Sequence, residues 1–314
     1  MRIGGIFKWR MRARIPASTQ FSRTRKRAHA NLIIHSNVVS NANRPENMFN
    51  PSNFNSNQNP DKRRWDYPKF QYKSLDSERN EIRLLRITPN SNTDSTIHCQ
   101  LFHTSLDHAP PYEALSYAWG DRSGMHKILI ESSYVNVTPN LDHALRRLRP
   151  KPGDPELVIW VDALCINQED IPERSIQTTK MRMIYQNANK VSIWLGMENN
   201  NSALAIQLAR DLNRSSIHQV TRMIQDPAWT NQFSALVMLF RRQYWWRIWV
   251  IQEISCARTA MVYCGDDSIR WNELENVCDI MREQEDHLQS LYYKSLSYIR
   301  TLTHGGPRGL QLSR

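Results

Sequence analysis

The spacing of apolar and polar positions changes repeatedly along the chain, and each change marks an element. Glu81–Thr88 (EIRLLRIT) and Thr96–His103 read as strands, with the turn-rich Pro-Asn-Ser-Asn run between them. Tyr112–Trp119 is the next strand, stopped by Gly120-Asp121, and Lys127–Glu131 with Tyr134–Val137 reads as a hairpin. Pro139 stands where it opens a helix whose buried face is Leu141, Ala144, Leu145 and Leu148. Leu157–Asp162 is almost continuously apolar, which suits a central strand covered on both faces. A helix over 171–188 places Ile176, Met181, Ile184, Tyr185 and Ala188 at helical spacing, and Val191–Leu195 is a strand ended by Gly196. Helices are expected over 201–213, 229–242 and Trp246–Ala257, then a strand over Thr259–Cys264 and an amphipathic helix over Trp271–His287. Thr303–Arg314 reads as coil. Strands alternating with helices predict an α/β fold: three layers with a mostly parallel central sheet, an added N-terminal β-hairpin region and C-terminal helices. In such sheets ligands bind beyond the carboxyl ends of the strands, so the segments after Tyr117 and Val161 are the first places to look for a site.

Charge sharpens the domain boundaries. The chain has 41 Lys and Arg against 30 Asp and Glu, a net charge of +11. Ten of the basic residues and none of the acidic ones lie in residues 1–45, which leaves 31 against 30 in the remainder. The folded body is therefore close to neutral, and nucleic-acid binding is not expected of it. Residues 41–60 are dominated by Asn, Pro and Ser, a composition of linkers without a packed core. The divisions expected are a disordered basic leader and linker over 1–64, a folded domain over 65–290 and a tail over 291–314. An Arg-rich, acid-free leader fits a mitochondrial transit peptide or a plain basic tail. The expected location is cytoplasmic, with the mitochondrion as the alternative. No apolar run approaches the length that spans a bilayer. Five cysteines without CxxC spacing argue against a disulfide framework and against a zinc site. His98, Cys99, His103 and His108 match no metal-loop spacing, so no metal is expected.

Three blocks stand out together: YEALSYAWGD at 112–121, WVDALCINQEDIPERSIQTTKMRMIYQNANKVSIWLG at 160–196 and RQYWWRIWVIQEISCA at 242–257. In order and wording they resemble the fungal heterokaryon-incompatibility (HET) domain over roughly 80–275. The resemblance implies a role in non-self recognition between fungal cells that ends in growth arrest or programmed cell death, with self-association and an incompatibility partner protein. HET domains in turn resemble TIR domains, whose fold is flavodoxin-like. Ser116-Tyr117 with Asp121 is similar to the first TIR strand and its loop, Trp160–Asp162 to the second strand, and 163–175 to the loop that governs assembly and substrate access. Trp249-x-x-x-Glu253 is similar to the helix carrying the catalytic glutamate of NAD-cleaving TIR domains. NAD is therefore the implied substrate; no cofactor is implied.

Cleavage of the nicotinamide–ribose bond builds positive charge at the ribose C1 carbon, and a carboxylate in a partly dry cleft stabilises it. Glu253 is the candidate for that role. Its alternative is structural pairing with Arg247 or Arg258. Trp249 sits one helical turn earlier, where it either stacks on a flat heterocycle or packs as core. Tyr117, Trp119, Gly120 and Asp121 form a candidate binding wall. Gly120 allows close backbone approach, and Asp121 serves equally as a turn residue. Asp162 binds substrate or caps the next turn. Asn167 and Gln168 bond substrate or satisfy loop backbone. Cys165 has no His nearby in sequence to activate it, which favours a small buried residue over a nucleophile. Arg174 and Arg247 contact pyrophosphate or form ordinary ion pairs.

Overall fold

The computed structural model describes residues 67–311, apart from 77, 248, 293 and 294. The chain divides into two units, Met1–Lys62 and Arg63–Arg314, and the described residues belong to the second. The expected leader and linker lie outside them.

The apolar runs form nine strands of one sheet. These are β1 (Glu81–Ile87), β2 (His98–Ser105), β3 (Glu113–Tyr117), β4 (His126–Ile130), β5 (Ser133–Val137), β6 (Leu157–Trp160), β7 (Lys190–Trp194), β8 (Ala260–Cys264) and β9 (Asp267–Arg270). Their order across the sheet is β5-β4-β2-β1-β6-β3-β7-β8-β9. The sheet is mixed, which corrects the mostly parallel expectation. β6, β3, β7 and β8 run parallel to their neighbours in that group, as does β4 to β2, whereas β1 is antiparallel to both β2 and β6. β4–β5 and β8–β9 are antiparallel hairpins. The N-terminal hairpins are therefore not an appendage; they extend the same sheet.

The helices are α1 (Pro139–Leu148), α2 (Asp162–Cys165), α3 (Ile171–Asn187), α4 (Ser202–Arg214), α5 (Ile217–Gln225), α6 (Thr230–Phe240), α7 (Val250–Ser255), α8 (Trp271–Glu283), α9 (Glu285–Tyr292), α10 (Leu296–His304) and α11 (Gly306–Gln311). α1 starts as its sequence demands: Thr138 accepts from the backbone N–H of Leu141 and Pro139 occupies the first turn. Asp170 caps α3 by accepting from Glu173 N, again with a proline following. Alternation along β7 puts Ile193 and Trp194 on opposite faces. The Trp194 indole donates to Asn140 of α1 at 2.9 Å. Ser116, which pairs with Ile193 in register, bonds to Glu253 of α7. Helices thus reach both faces of the sheet.

Three expectations about helices are corrected. The stretch read as coil, Thr303–Arg314, holds the end of α10 and α11, with Thr303 fully buried. Trp246–Ala257 is not one helix, because a 3-10 turn over Gln243–Trp246 precedes the short α7. On α3, Ile176 faces solvent at 44% exposure, while Gln177 and Lys180 are buried and donate to the Glu81 carbonyl. Among the described residues no helix is long and apolar enough to cross a membrane.

Candidate functional site

The carboxyl ends of β3 and β6 carry the residues singled out above. At the end of β3, Ser116 and Tyr117 are 1% and 2% exposed. The Ser116 hydroxyl donates to the Glu253 carboxylate and lies 2.7 Å from the Tyr244 hydroxyl. Arg247 donates to both oxygens of Glu253, at 3.1 and 3.3 Å. Glu253 is itself 1% exposed. Of the two structural partners considered for Glu253, the structure selects Arg247.

Asp162 begins α2, beside this cluster. Its Oδ2 accepts from the Trp119 indole at 2.8 Å and its Oδ1 from the Ala163 backbone N–H at 2.7 Å. Both carboxyls have pKa values raised, in each case chiefly by burial, and the negative charge of Asp162 adds to the shift at Glu253. Arg247 opposes the shift at both carboxyls. One guanidinium therefore serves two acids, with Tyr117, Tyr185 and Tyr244 closing the surroundings and their own ionisation pushed far up by burial.

The other expected ligands are occupied locally. The Gln168 side chain donates to the Asp162 carbonyl at 2.9 Å, and the Asn167 side chain accepts from Glu169 N at 3.2 Å. Both satisfy loop backbone. Asp121 sits in an exposed turn and accepts from the backbone and hydroxyl of Ser123, which lower its pKa. Gly120 takes a positive φ of 73°, and a Cβ there would stand 3.3 Å from that of Asn140. Its glycine serves a turn against α1. Trp249 is 50% exposed and so is not core, yet it does not share the enclosed surroundings of Glu253. Arg174 is exposed and donates to the Gln168 carbonyl at 3.2 Å.

Sequence reasoning missed what holds the segment after β6. Arg83, in the middle of β1, is 1% exposed. It forms a two-pronged pair with Glu173 at 2.7 and 2.9 Å, donates to the Cys165 carbonyl at 3.1 Å and lies 5.0 Å from the centre of the Tyr72 ring. Glu173 also accepts from Asn167 N at 2.7 Å. The only signal in the sequence was a charge inside an apolar strand. Arg242, from the third block, similarly clamps the loop after β7 through the carbonyls of Leu195, Met197 and Asn199.

Cys165 is buried, and burial pushes its thiol up to about 12. At neutral pH it is a thiol that accepts from Val161 N, not a nucleophile. Brief iodoacetamide treatment of the folded chain should modify half-buried Cys256 and spare Cys165, read by peptide mass spectrometry. Stoichiometric labelling of Cys165 in folded protein would overturn that assignment.

The family model described as heterokaryon incompatibility protein (HET) matches residues 112–253, from the strand segment at Tyr112 to Glu253. The enclosed cluster of Ser116, Asp162, Tyr244, Arg247 and Glu253 lies within the matched segment. The chain is also similar to heterokaryon incompatibility protein 6, OR allele, of Neurospora crassa, at 26% identity over 256 residues. That similarity covers 68% of this chain and 38% of the relative, so the chain spans well under half of the relative's length. No solved structure matches.

Proposed function

We propose that the chain acts in fungal heterokaryon incompatibility as a recognition and signalling module without catalysis, engaging a protein surface through the 163–175 segment and α3. The observation that carries this reading is the 1% exposure of Glu253 within its ion pair. A carboxylate that stabilises a developing cation must meet it, and this one meets Arg247, Ser116 and neighbouring tyrosines. The same region offers solvent an apolar surface instead: Ile171, Ile176 and Met183 are 65%, 44% and 46% exposed. The name of the Neurospora relative supports the pathway, and the resemblance supports growth arrest or programmed cell death as the output. An incompatibility protein or a second copy of this chain is the proposed partner, and the cytoplasm the proposed location, with the mitochondrion as the alternative.

A second reading, NAD cleavage by a TIR-like domain, has one feature in its favour. The order β6-β3-β7-β8 reads second-first-third-fourth among the parallel strands, the doubly wound order whose switch point lies at the first and third strands. Ser116 and Tyr117 lie on that first strand. This reading needs Arg247 to leave Glu253.

Expression in fungal cells separates the two. Ile171→Asp combined with Ile176→Asp should abolish growth arrest, and Glu253→Gln should leave it intact. The reverse pattern, at equal protein levels, would contradict the proposal.

A further inference from the structure

A cavity of about 790 Å³ has a lining that does not include Glu253. It opens at the carboxyl ends of β7 and β8, between Trp194, Glu198 and the Gly265-Asp266 turn on one side and α1 on the other. Its volume falls within the range of small-molecule sites, and its position is the edge where such sheets take ligands.

Its lining divides into two parts. Asp142 is 2% exposed; its Oδ2 accepts from Arg146 Nε and lies beside His126 Nδ1, each at 2.8 Å. Its Oδ1 is buried and has no hydrogen-bond partner among the described residues. An orphaned buried carboxylate oxygen calls for a donor. Arg146 already supplies a full positive charge to Asp142, so a neutral hydroxyl suits Oδ1 better than a second cation.

Beyond Asp142 stand Arg147, Arg149 and Lys151. Arg147 donates to the carbonyls of Gly265 and Asp266, and Arg149 to those of Asn92 and Ser95. Among the described residues none of the three forms an ion pair with a carboxylate, so their charge is positioned but not neutralised. Burial and the like charge of Arg146 both lower the pKa of Arg149, a tension an anion would relieve. Asp94, Glu198 and Asp266 also line the cavity, but all three are exposed at its rim. Three cations match a dianionic phosphate better than a single carboxylate.

We propose that this cavity binds a small hydroxylated organic phosphate, such as a sugar phosphate or a mononucleotide, with a hydroxyl on Asp142 and the phosphate toward Arg147, Arg149 and Lys151. The proposal does not depend on the role of Glu253.

Calorimetric titration of the full chain with ribose 5-phosphate, adenosine 5′-monophosphate, inorganic phosphate and ribose tests it. At least one organic phosphate should bind at a single saturable site, tenfold or more tighter than inorganic phosphate or ribose. Lys151→Ala, at an exposed position whose side chain has no described partner, should weaken organic and inorganic phosphate alike. In Asp142→Asn, Arg146 and His126 hold the amide oxygen, so the NH₂ replaces the orphan acceptor with a donor. That variant should weaken the organic phosphates and spare inorganic phosphate. Absence of saturable binding below about 1 mM for both organic probes overturns the proposal. So does binding that Lys151→Ala leaves unchanged, an outcome that stands even if Asp142→Asn fails to fold.

Discussion

Arg83→Met should cost the domain about 3–5 kcal/mol of stability, the range found when one partner of a buried ion pair is removed. The side chains of Arg83 and Glu173 are 1% and 9% exposed, so water does not replace the lost partner. Methionine keeps much of the volume but removes every donor. Glu173 retains its bond from Asn167 N and loses its counter-charge, and the carbonyls of Lys73 and Cys165 lose theirs. Urea unfolding of the full chain should show a lower midpoint with an unchanged slope. Arg83→Met with Glu173→Leu should lose less than the sum of the single variants, because the stranded charge is gone. A loss under about 1 kcal/mol for Arg83→Met would mean that the pair does not anchor the segment after β6.

Glu253→Ala should be comparably damaging, for a reason unrelated to catalysis. It strands Arg247, whose side chain is 20% exposed, and takes the acceptor from the buried Ser116 hydroxyl. A loss of about 3 kcal/mol or more is expected. Loss of cellular activity in this variant would therefore report unfolding as readily as mechanism. Glu253→Gln keeps an acceptor for Ser116 and for one Arg247 donor but removes the counter-charge, so it should be milder than Glu253→Ala.

The glutamine variant also isolates a pH effect. Burial raises the pKa of Glu253 above its ordinary 4.5 despite Arg247. Between the unfolded and the raised value the folded chain holds more protons than the unfolded chain, so stability falls as pH rises through that window. Asp162, raised from 3.8 by burial, acts in the same direction. The stability margin of the wild type over Glu253→Gln should accordingly grow as pH is lowered from neutral into the carboxylate range. Paired urea titrations at two pH values measure it, and a margin that shrinks on acidification would contradict the enclosed geometry.

Where apolar period and a terminus signal coincide, reading from sequence succeeded. Pro139 with Leu141, Ala144 and Leu145 marks α1, and Gly196, at a φ of 107°, ends the β7 segment. Direction was harder. Period two is the same in parallel and antiparallel strands, so nothing in EIRLLRI announces that β1 runs against β6. Helical spacing likewise nominated Ile176 for the core, while Gln177 and Lys180 entered it because the Glu81 carbonyl accepts from both. α5 was overlooked although Ser216 and Gln219 form its capping box, and β9 because four residues carry too little period.

The candidate site was legible as a list and not as an arrangement. The resemblance selected Glu253, Asp162 and Trp119, which do converge beyond the strand ends. Ser116 and Tyr244 are 128 positions apart, and no local pattern announces that they meet over the same carboxylate. Nor can spacing distinguish a glutamate that faces a cleft from one that faces an arginine. Arg247 was visible as a nearby cation; only the fold turns it onto Glu253.

The most direct test of the account is incubation of the folded full chain with NAD, with released nicotinamide quantified by chromatography for the wild type and Glu253→Gln. The enclosed ion pair predicts no release above the protein-free blank for either protein, including at concentrations that favour self-association. Steady release by the wild type that Glu253→Gln abolishes would contradict the account and establish Glu253 as the working carboxylate.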